Sequence, residues 1–165
     1  MDITQTFYDN LAPHYDKLFL DWQSATQEQA QILSRLLQNY GFDTSARILD
    51  CACGIGTQAI GLAAQGYSVT ASDISSGALA EAKKRAKAGQ VTVQFKHADF
   101  CALAETFAEP FDVVLVMDNA LPHMLTRNDM ASAITSMVNQ ISDCGMIVVS
   151  IRDYDALLQE KPPYS

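Results

Sequence analysis

Short apolar runs alternate along this chain with longer stretches in which apolar residues recur at helical spacing. Ala46–Asp50 reads as a first strand, and the Ala-rich stretch from about Thr57 to Gln65 as a helix that Gly66 ends. Tyr67–Ala71 is a second strand, followed by a helix through Ala88 capped by Ser75 or Ser76 and closed by Gly89. Val91–Phe95, Phe111–Met117 and Met146–Ile151 complete the strands, with a helix over Asn128–Ile141 and a Cys144-Gly145 turn before the last. Upstream, Ala30, Leu33, Leu36, Leu37 and Tyr40 share one face of a helix over Ser24–Tyr40, with Ser24 and Gln27 placed as a capping box. Residues 6–23 mix aromatics and acids around Pro13 without a clean period, and read as short helical pieces forming a lid. Strand–helix alternation of this kind makes a doubly wound α/β fold, a mostly parallel sheet of about five strands with helices on both faces. With no repeat or low-complexity linker the chain reads as one domain, a lid over 1–45 and a ligand-binding core over 46–165.

The turn between the first strand and its helix carries the chemistry. In Ile48–Ala63, ILDCACGIGTQAIGLA, the strand ends on Asp50 and the helix follows Gly54 and Gly56. Residues without a Cβ let the backbone lie against a ligand and take φ values closed to other side chains. Gly54-x-Gly56-x-x-Ala59 satisfies the dinucleotide pattern, so an NAD-dependent oxidoreductase is one reading. Two details oppose it: Asp50 closes the strand, and Cys51-Ala52-Cys53 separates it from the first glycine. An acid in that place suits a ligand with positive charge, whereas a pyrophosphate wants bare helix-terminal N–H groups.

Composition narrows the partners. The 165 residues are 48% hydrophobic and carry a formal net charge of −8, which opposes binding to a nucleic-acid backbone. The N-terminus lacks a basic, apolar signal pattern and no apolar run reaches spanning length, so a cytoplasmic protein off the membrane is expected. Cys51, Cys53, Cys101 and Cys144 show no disulfide or metal-ligand spacing and read as reduced, buried, small apolar side chains.

Polar residues fall repeatedly at the carboxyl ends of the strands, where such sheets bind ligands. They are Asp50, Asp73, Asp99, Asp118 with Asn119, and Arg152. Asp73 follows Asp50 at about the 20-residue interval at which an acid grips a ribose. Its replacement by Ala is expected to weaken ligand binding and leave folding little changed, a strand-end acid holding no core. Asp99-Phe100 offers a polar group and a flat cover, or simple turn chemistry with a core aromatic. Tyr8, Tyr15 and Trp22 read equally as packing aromatics or as ligand contacts, and Arg152 as a substrate contact or a partner of Asp153 or Asp155.

The set LDCACGIG, SVTASDIS, HADF and VMDNALPHM resembles the Rossmann-like, class I S-adenosylmethionine-dependent methyltransferases, in order and over nearly the whole chain. The resemblance implies S-adenosylmethionine as cofactor, its methionine end on Asp50, Ala52, Gly54 and Gly56, its ribose on Asp73 beside Ile74, and its adenine on Asp99 and Phe100. Met117, Asp118 and Asn119 would lie beside the sulfonium and the acceptor, with Tyr15, Trp22 and His123 near the cofactor. A narrower resemblance is to glycine and sarcosine N-methyltransferases, through the ACG loop, Asn119 with His123, and Arg152 with Tyr154 and Asp155. It implies that Asn119 and Arg152 position an acceptor carboxylate, which the planar guanidinium fork can meet at two points. No metal or nucleophile is implied, since in-line methyl transfer from a sulfonium needs chiefly positioning and desolvation. The family sheet carries two further strands after the fifth. The chain is therefore expected to be a fragment, or to have its fifth strand covered by a partner or a second copy. An inactive, partner-dependent cofactor-binding module is the alternative to an enzyme.

Overall fold

The computed structural model describes residues 3–160, and the tail Pro162-Pro163-Tyr164-Ser165 lies outside them. Five strands form one all-parallel sheet in the order β3-β2-β1-β4-β5, from β1 (Arg47–Asp50), β2 (Ser68–Asp73), β3 (Gln94–His97), β4 (Phe111–Val116) and β5 (Ile141–Val149). The helices are α1 (Ile3–Leu11), α2 (Trp22–Asn39), α3 (Thr57–Ala64), α4 (Ser76–Ala88), α5 (Arg127–Asn139) and α6 (Tyr154–Glu160). Successive strand residues point to opposite faces, and the core divides accordingly. Ile48, Val113 and Leu115 pack toward α2, α3 and α4 with Leu33, Leu37, Leu62 and Leu79. Leu49, Val114 and Val116 pack on the other face with Leu103, Ala133 and Met137. The fold is the expected doubly wound one.

Several boundaries differ from the sequence reading, each for an identifiable physical reason. Asp21, not Ser24, caps α2: its carboxylate accepts the Gln23 N–H at 3.0 Å, and the helix begins at Trp22. With Thr26, Ala30, Leu33 and Leu37 buried, α2 belongs to the core, so the lid is only α1 and the 3₁₀ stretch Ala12–Leu18. The third strand starts at Gln94, because Gln90 takes φ +56° and the Val91 N–H still closes on Ala86 O. The fifth begins at Ile141, which pairs with Phe111 although the helical period runs on to that residue. The apparent Cys144-Gly145 turn is a bulge inside that strand, since the register shifts between Phe111 and Val113. A Cβ at Gly145 would stand 2.8 Å from Asp112 O, so the bulge requires glycine. Helix α6 is an addition to the expected elements. Ser75 caps α4, accepting the Ala78 N–H at 3.0 Å.

Helices α2 and α3 pack nearly backbone to backbone at Gly61, where an added Cβ would lie 2.7 Å from Ala30 Cβ and 2.8 Å from Thr26 O. Neither neighbour is the free end of a flexible chain, so α2 itself would have to shift. Gly61→Ala is expected to lower unfolding free energy by about 1–3 kcal/mol in a denaturant titration, despite Ala's better helix propensity. An unchanged midpoint would mean that α2 yields freely.

Candidate functional site

The carboxyl ends of β1, β2 and β4 frame a cavity of about 620 Å³, roofed by α1 and the 3₁₀ stretch. Gly54 takes φ +52° and an added Cβ would meet nothing within 4 Å, so the loop leaves open space where a ligand can approach its backbone. Gly56, at φ +92°, caps α3 and faces Ile60 and Ala82 instead; its role is to turn the chain. Of the residues singled out, Tyr15, Ala52, Gly54, Asp73 and Ile74 line the cavity, as do Asp99, Phe100, Met117, Asp118 and His123.

Asp50 does not. It is wholly buried beneath the loop, its oxygens without a hydrogen-bonding partner in good geometry, although the Ala52 and Ala59 N–H groups lie near enough to favour its charge. Burial first, then the charges of Asp118 and Asp73, push its carboxyl up to about 8. Trp22 also stands off the wall: its indole N–H donates to Thr57 Oγ1 at 3.0 Å, and the Arg85 guanidinium covers its ring at 4.6 Å. Cys51 and Cys53 are buried free thiols raised well above their ordinary pKa by desolvation. Cys101 is half-buried and Cys144 exposed, so the reading of all four as buried holds for two.

Asp73 holds the loop as well as facing the cavity. One carboxylate oxygen accepts the Gly54 N–H at 2.8 Å and the other accepts the Ser75 N–H at 2.8 Å. Burial outweighs these bonds and raises its pKa. The expectation that its loss leaves folding unchanged is therefore corrected, because two backbone donors would be orphaned. Asp73→Ala is expected to cost about 1–3 kcal/mol of stability, by denaturation, together with about 1.5–3 kcal/mol of affinity for the cavity's ligand. Equal affinity in a folded variant would remove Asp73 from the ligand's contacts.

The Arg85 guanidinium pairs with Asp16 of the 3₁₀ stretch at 3.5 Å, and hydrogen bonds tie down α1. Asp9 accepts Ser75 Oγ–H at 2.6 Å and the Gly77 N–H at 2.9 Å, which holds its carboxyl below the usual range. Across the cavity, Tyr8 OH and His123 Nε2 are 2.8 Å apart, so the histidine pairs with the lid.

Beyond Asp118 and Tyr15, which line both, a second cavity of about 340 Å³ is bounded by Phe19, Asn119, Ser150, Ile151 and Arg152. Asp118 and Asn119 both sit in the left-handed region, at φ +52° and +68°, an uncommon conformation for two successive non-glycine residues. The turn is fixed by Ser150, whose hydroxyl oxygen accepts the Asp118 N–H at 2.8 Å and whose carbonyl accepts the Asn119 N–H at 3.2 Å. Asn119 Oδ1 accepts the Arg152 N–H at 3.3 Å and the Tyr154 hydroxyl at 2.9 Å, so this side chain places the segment bearing Arg152. No ion pair joins Arg152 to Asp153 or Asp155 among the described residues. Sequence reasoning missed Gln58, 2% exposed, which donates to Asp118 Oδ2 at 2.8 Å and to Gln29 Oε1 at 2.6 Å. A polar residue in an otherwise apolar helical run was its one signal.

The larger cavity suits one kind of ligand. Asp73, Asp99, Asp118 and Asp129 line it and among the described residues no Lys or Arg does, so it favours a cation with hydroxyls and opposes a pyrophosphate. Its volume lies within the range of cofactor sites.

A family model described as a methyltransferase domain matches residues 48–145. Among curated proteins, the chain is 31% identical over 149 residues to a Geobacillus sp. (strain WCH70) protein named "Putative methyltransferase", covering 87% of this chain and 57% of that one. It is 26% identical over 155 residues to the glycine/sarcosine N-methyltransferase of Parasynechococcus marenigrum (strain WH8102), covering 94% of this chain and 54% of that one. The crystal structure of an S-adenosylmethionine-dependent methyltransferase from Clostridium acetobutylicum ATCC 824 superposes with a TM-score of 0.74 at 20% identity, over 93% of this chain and 61% of that one. The chain thus spans a little more than half the length of the curated relatives it matches.

Proposed function

Because the chain belongs to the methyltransferase-domain family, we propose that the protein transfers a methyl group from S-adenosylmethionine to the amine of a small carboxylated molecule, glycine, sarcosine or a relative. The observation that carries the reading is the junction of the two cavities at Asp118 and Tyr15, an acid-lined one fitting a cationic cofactor and a smaller one ending at Arg152.

When bound, the cofactor supplies a methyl group already activated on a cationic sulfur. The residues here bind and orient. Gly54 would offer its backbone, Asp73 would accept from the ribose hydroxyls, and Asp99 with Phe100 would hold the adenine end. Tyr15, raised to about 12 chiefly by burial and then by Asp118, stays a neutral phenol between donor and acceptor. Arg152 receives the acceptor carboxylate, and Asn119 places Arg152 through the backbone bond above. Such preorganisation supplies effective molarity, worth roughly 7–11 kcal/mol in well-oriented reactions.

Incubation of the full-length protein with S-adenosylmethionine labelled in its methyl group, and a panel of small amines, tests the proposal. Label is expected on the nitrogen of a carboxylated amine. Cofactor binding with no labelled amine of any kind would favour the inactive-module alternative.

A further inference from the structure

Asp118 combines features that acceptor-carboxylate recognition does not explain. Its side chain stands where the two cavities meet. It occupies a left-handed backbone position, where the Cβ of a non-glycine residue crowds the following carbonyl. Its Oδ2 is steadied by the buried Gln58 amide, itself anchored to Gln29, so the carboxylate is held in one direction. Among the described residues no Lys, Arg or His pairs with it. Arg152 lines the smaller cavity and not the larger one, also without an ion-pair partner among the described residues. The fields of both reach the intervening phenol, Asp118 raising and Arg152 lowering the Tyr15 pKa. The smaller cavity therefore has a negative side chain at Asp118, which it shares with the larger cavity, and a positive one at Arg152, which lines the smaller cavity alone.

We propose that Asp118 is the seat of the acceptor's amine, and that the smaller cavity takes an α-amino acid lengthwise, amine N–H to Asp118 and carboxylate to Arg152, the ammonium proton passing to solvent before the nitrogen attacks the methyl group. The orientation follows from the charges. The reacting group has to lie at the junction with the cofactor cavity, and only a cationic or N–H-donating group is welcome there. Phe19 and Ile151 add apolar wall, and the volume of about 340 Å³ exceeds what glycine fills, so the site accepts amino acids with a side chain or an N-substituent. This assignment rests on the methyl-transfer reading above and makes Asp118 a specificity-determining residue within it.

The test uses the full-length protein saturated with the demethylated product of S-adenosylmethionine, so that ligands bind without turnover. Alanine, propionate and ethylamine are titrated by calorimetry into wild type, Asp118→Asn and Asp118→Gly. Asparagine keeps an acceptor for Gln58 and tolerates the left-handed backbone; glycine relaxes that backbone altogether. Wild type is expected to bind alanine about tenfold or more tighter than propionate, the worth of a charged hydrogen bond. In both variants that gap should collapse while the preference for alanine over ethylamine, which reports Arg152, persists. A gap unchanged in folded variants that still bind the demethylated product would overturn the role of Asp118 alone. Wild type that binds this product but none of the three probes would instead overturn the carboxylated-amine reading, and this proposal with it.

Discussion

Asp50→Asn should flatten a pH dependence of stability that the wild-type chain shows between about pH 4 and pH 8. Asp50 is a carboxyl with no exposed surface, and burial, Asp118 and Asp73 raise it from 3.8 to about 8. In that window the folded state keeps a proton that the unfolded state has released. The stabilisation is therefore complete below the unfolded pKa and is lost as pH rises through the folded one. Between pH 5 and pH 8 the loss is on the order of 4 kcal/mol, a large share of a typical domain's stability. Asparagine has nearly the same shape and no charge to desolvate. Denaturant titrations at pH 5 and pH 8 should differ less for the variant than for wild type, the remaining difference coming from Asp73, which burial shifts in the same direction. Parallel losses in both would show that Asp50 is charged throughout, with a compensating partner. Asp9, Asp21 and Asp43 are shifted the opposite way and act below about pH 4, outside this window.

The second large effect falls on Arg152. Lys in its place should fail nearly as badly as Ala, because a point charge cannot reproduce a planar two-point fork. For carboxylated amines kcat/KM should drop by about 2–5 kcal/mol in either variant, with cofactor affinity nearly unchanged. The backbone bond from Arg152 N–H to Asn119 survives both substitutions, so the loop keeps its place. A carboxylated and an uncarboxylated amine, assayed side by side, separate the possibilities. Equal losses on both would remove the carboxylate contact. Joint loss of stability and cofactor affinity would make Arg152 structural, a role for which no ion pair stands among the described residues.

Most of the architecture was legible because β1, β2 and β4 hold short runs of buried apolar residues and the strand ends carry polar residues. Ile48 and Leu49 show why the continuous run works: successive positions feed separate cores, so both must be apolar. The start of the fifth strand failed because a local rule was overridden by a partner distant in sequence. Ile141 continues a helical pattern, yet pairing with Phe111 makes it the first residue of a strand, and the bulge at Gly145 disguises the continuation as a turn. The site was legible as a set of acids and less so as a mechanism of support. Gln58 acquires meaning only when the fold brings Asp118 to it, and Tyr8 only when the lid sets it against His123. Asp73 reads in sequence as a ligand contact, while its bonds to Gly54 and Ser75 are visible only in three dimensions.

The acid-lined cavity is expected to bind S-adenosylmethionine. The direct measurement is a calorimetric titration of the protein with S-adenosylmethionine, with its demethylated product and with NADH. Saturable one-to-one binding of the first two, mutually competitive and weakened by Asp73→Ala, with no heat from NADH, is the expected result. Binding of NADH with none of S-adenosylmethionine or its product would contradict the account and return the glycine loop to a dinucleotide.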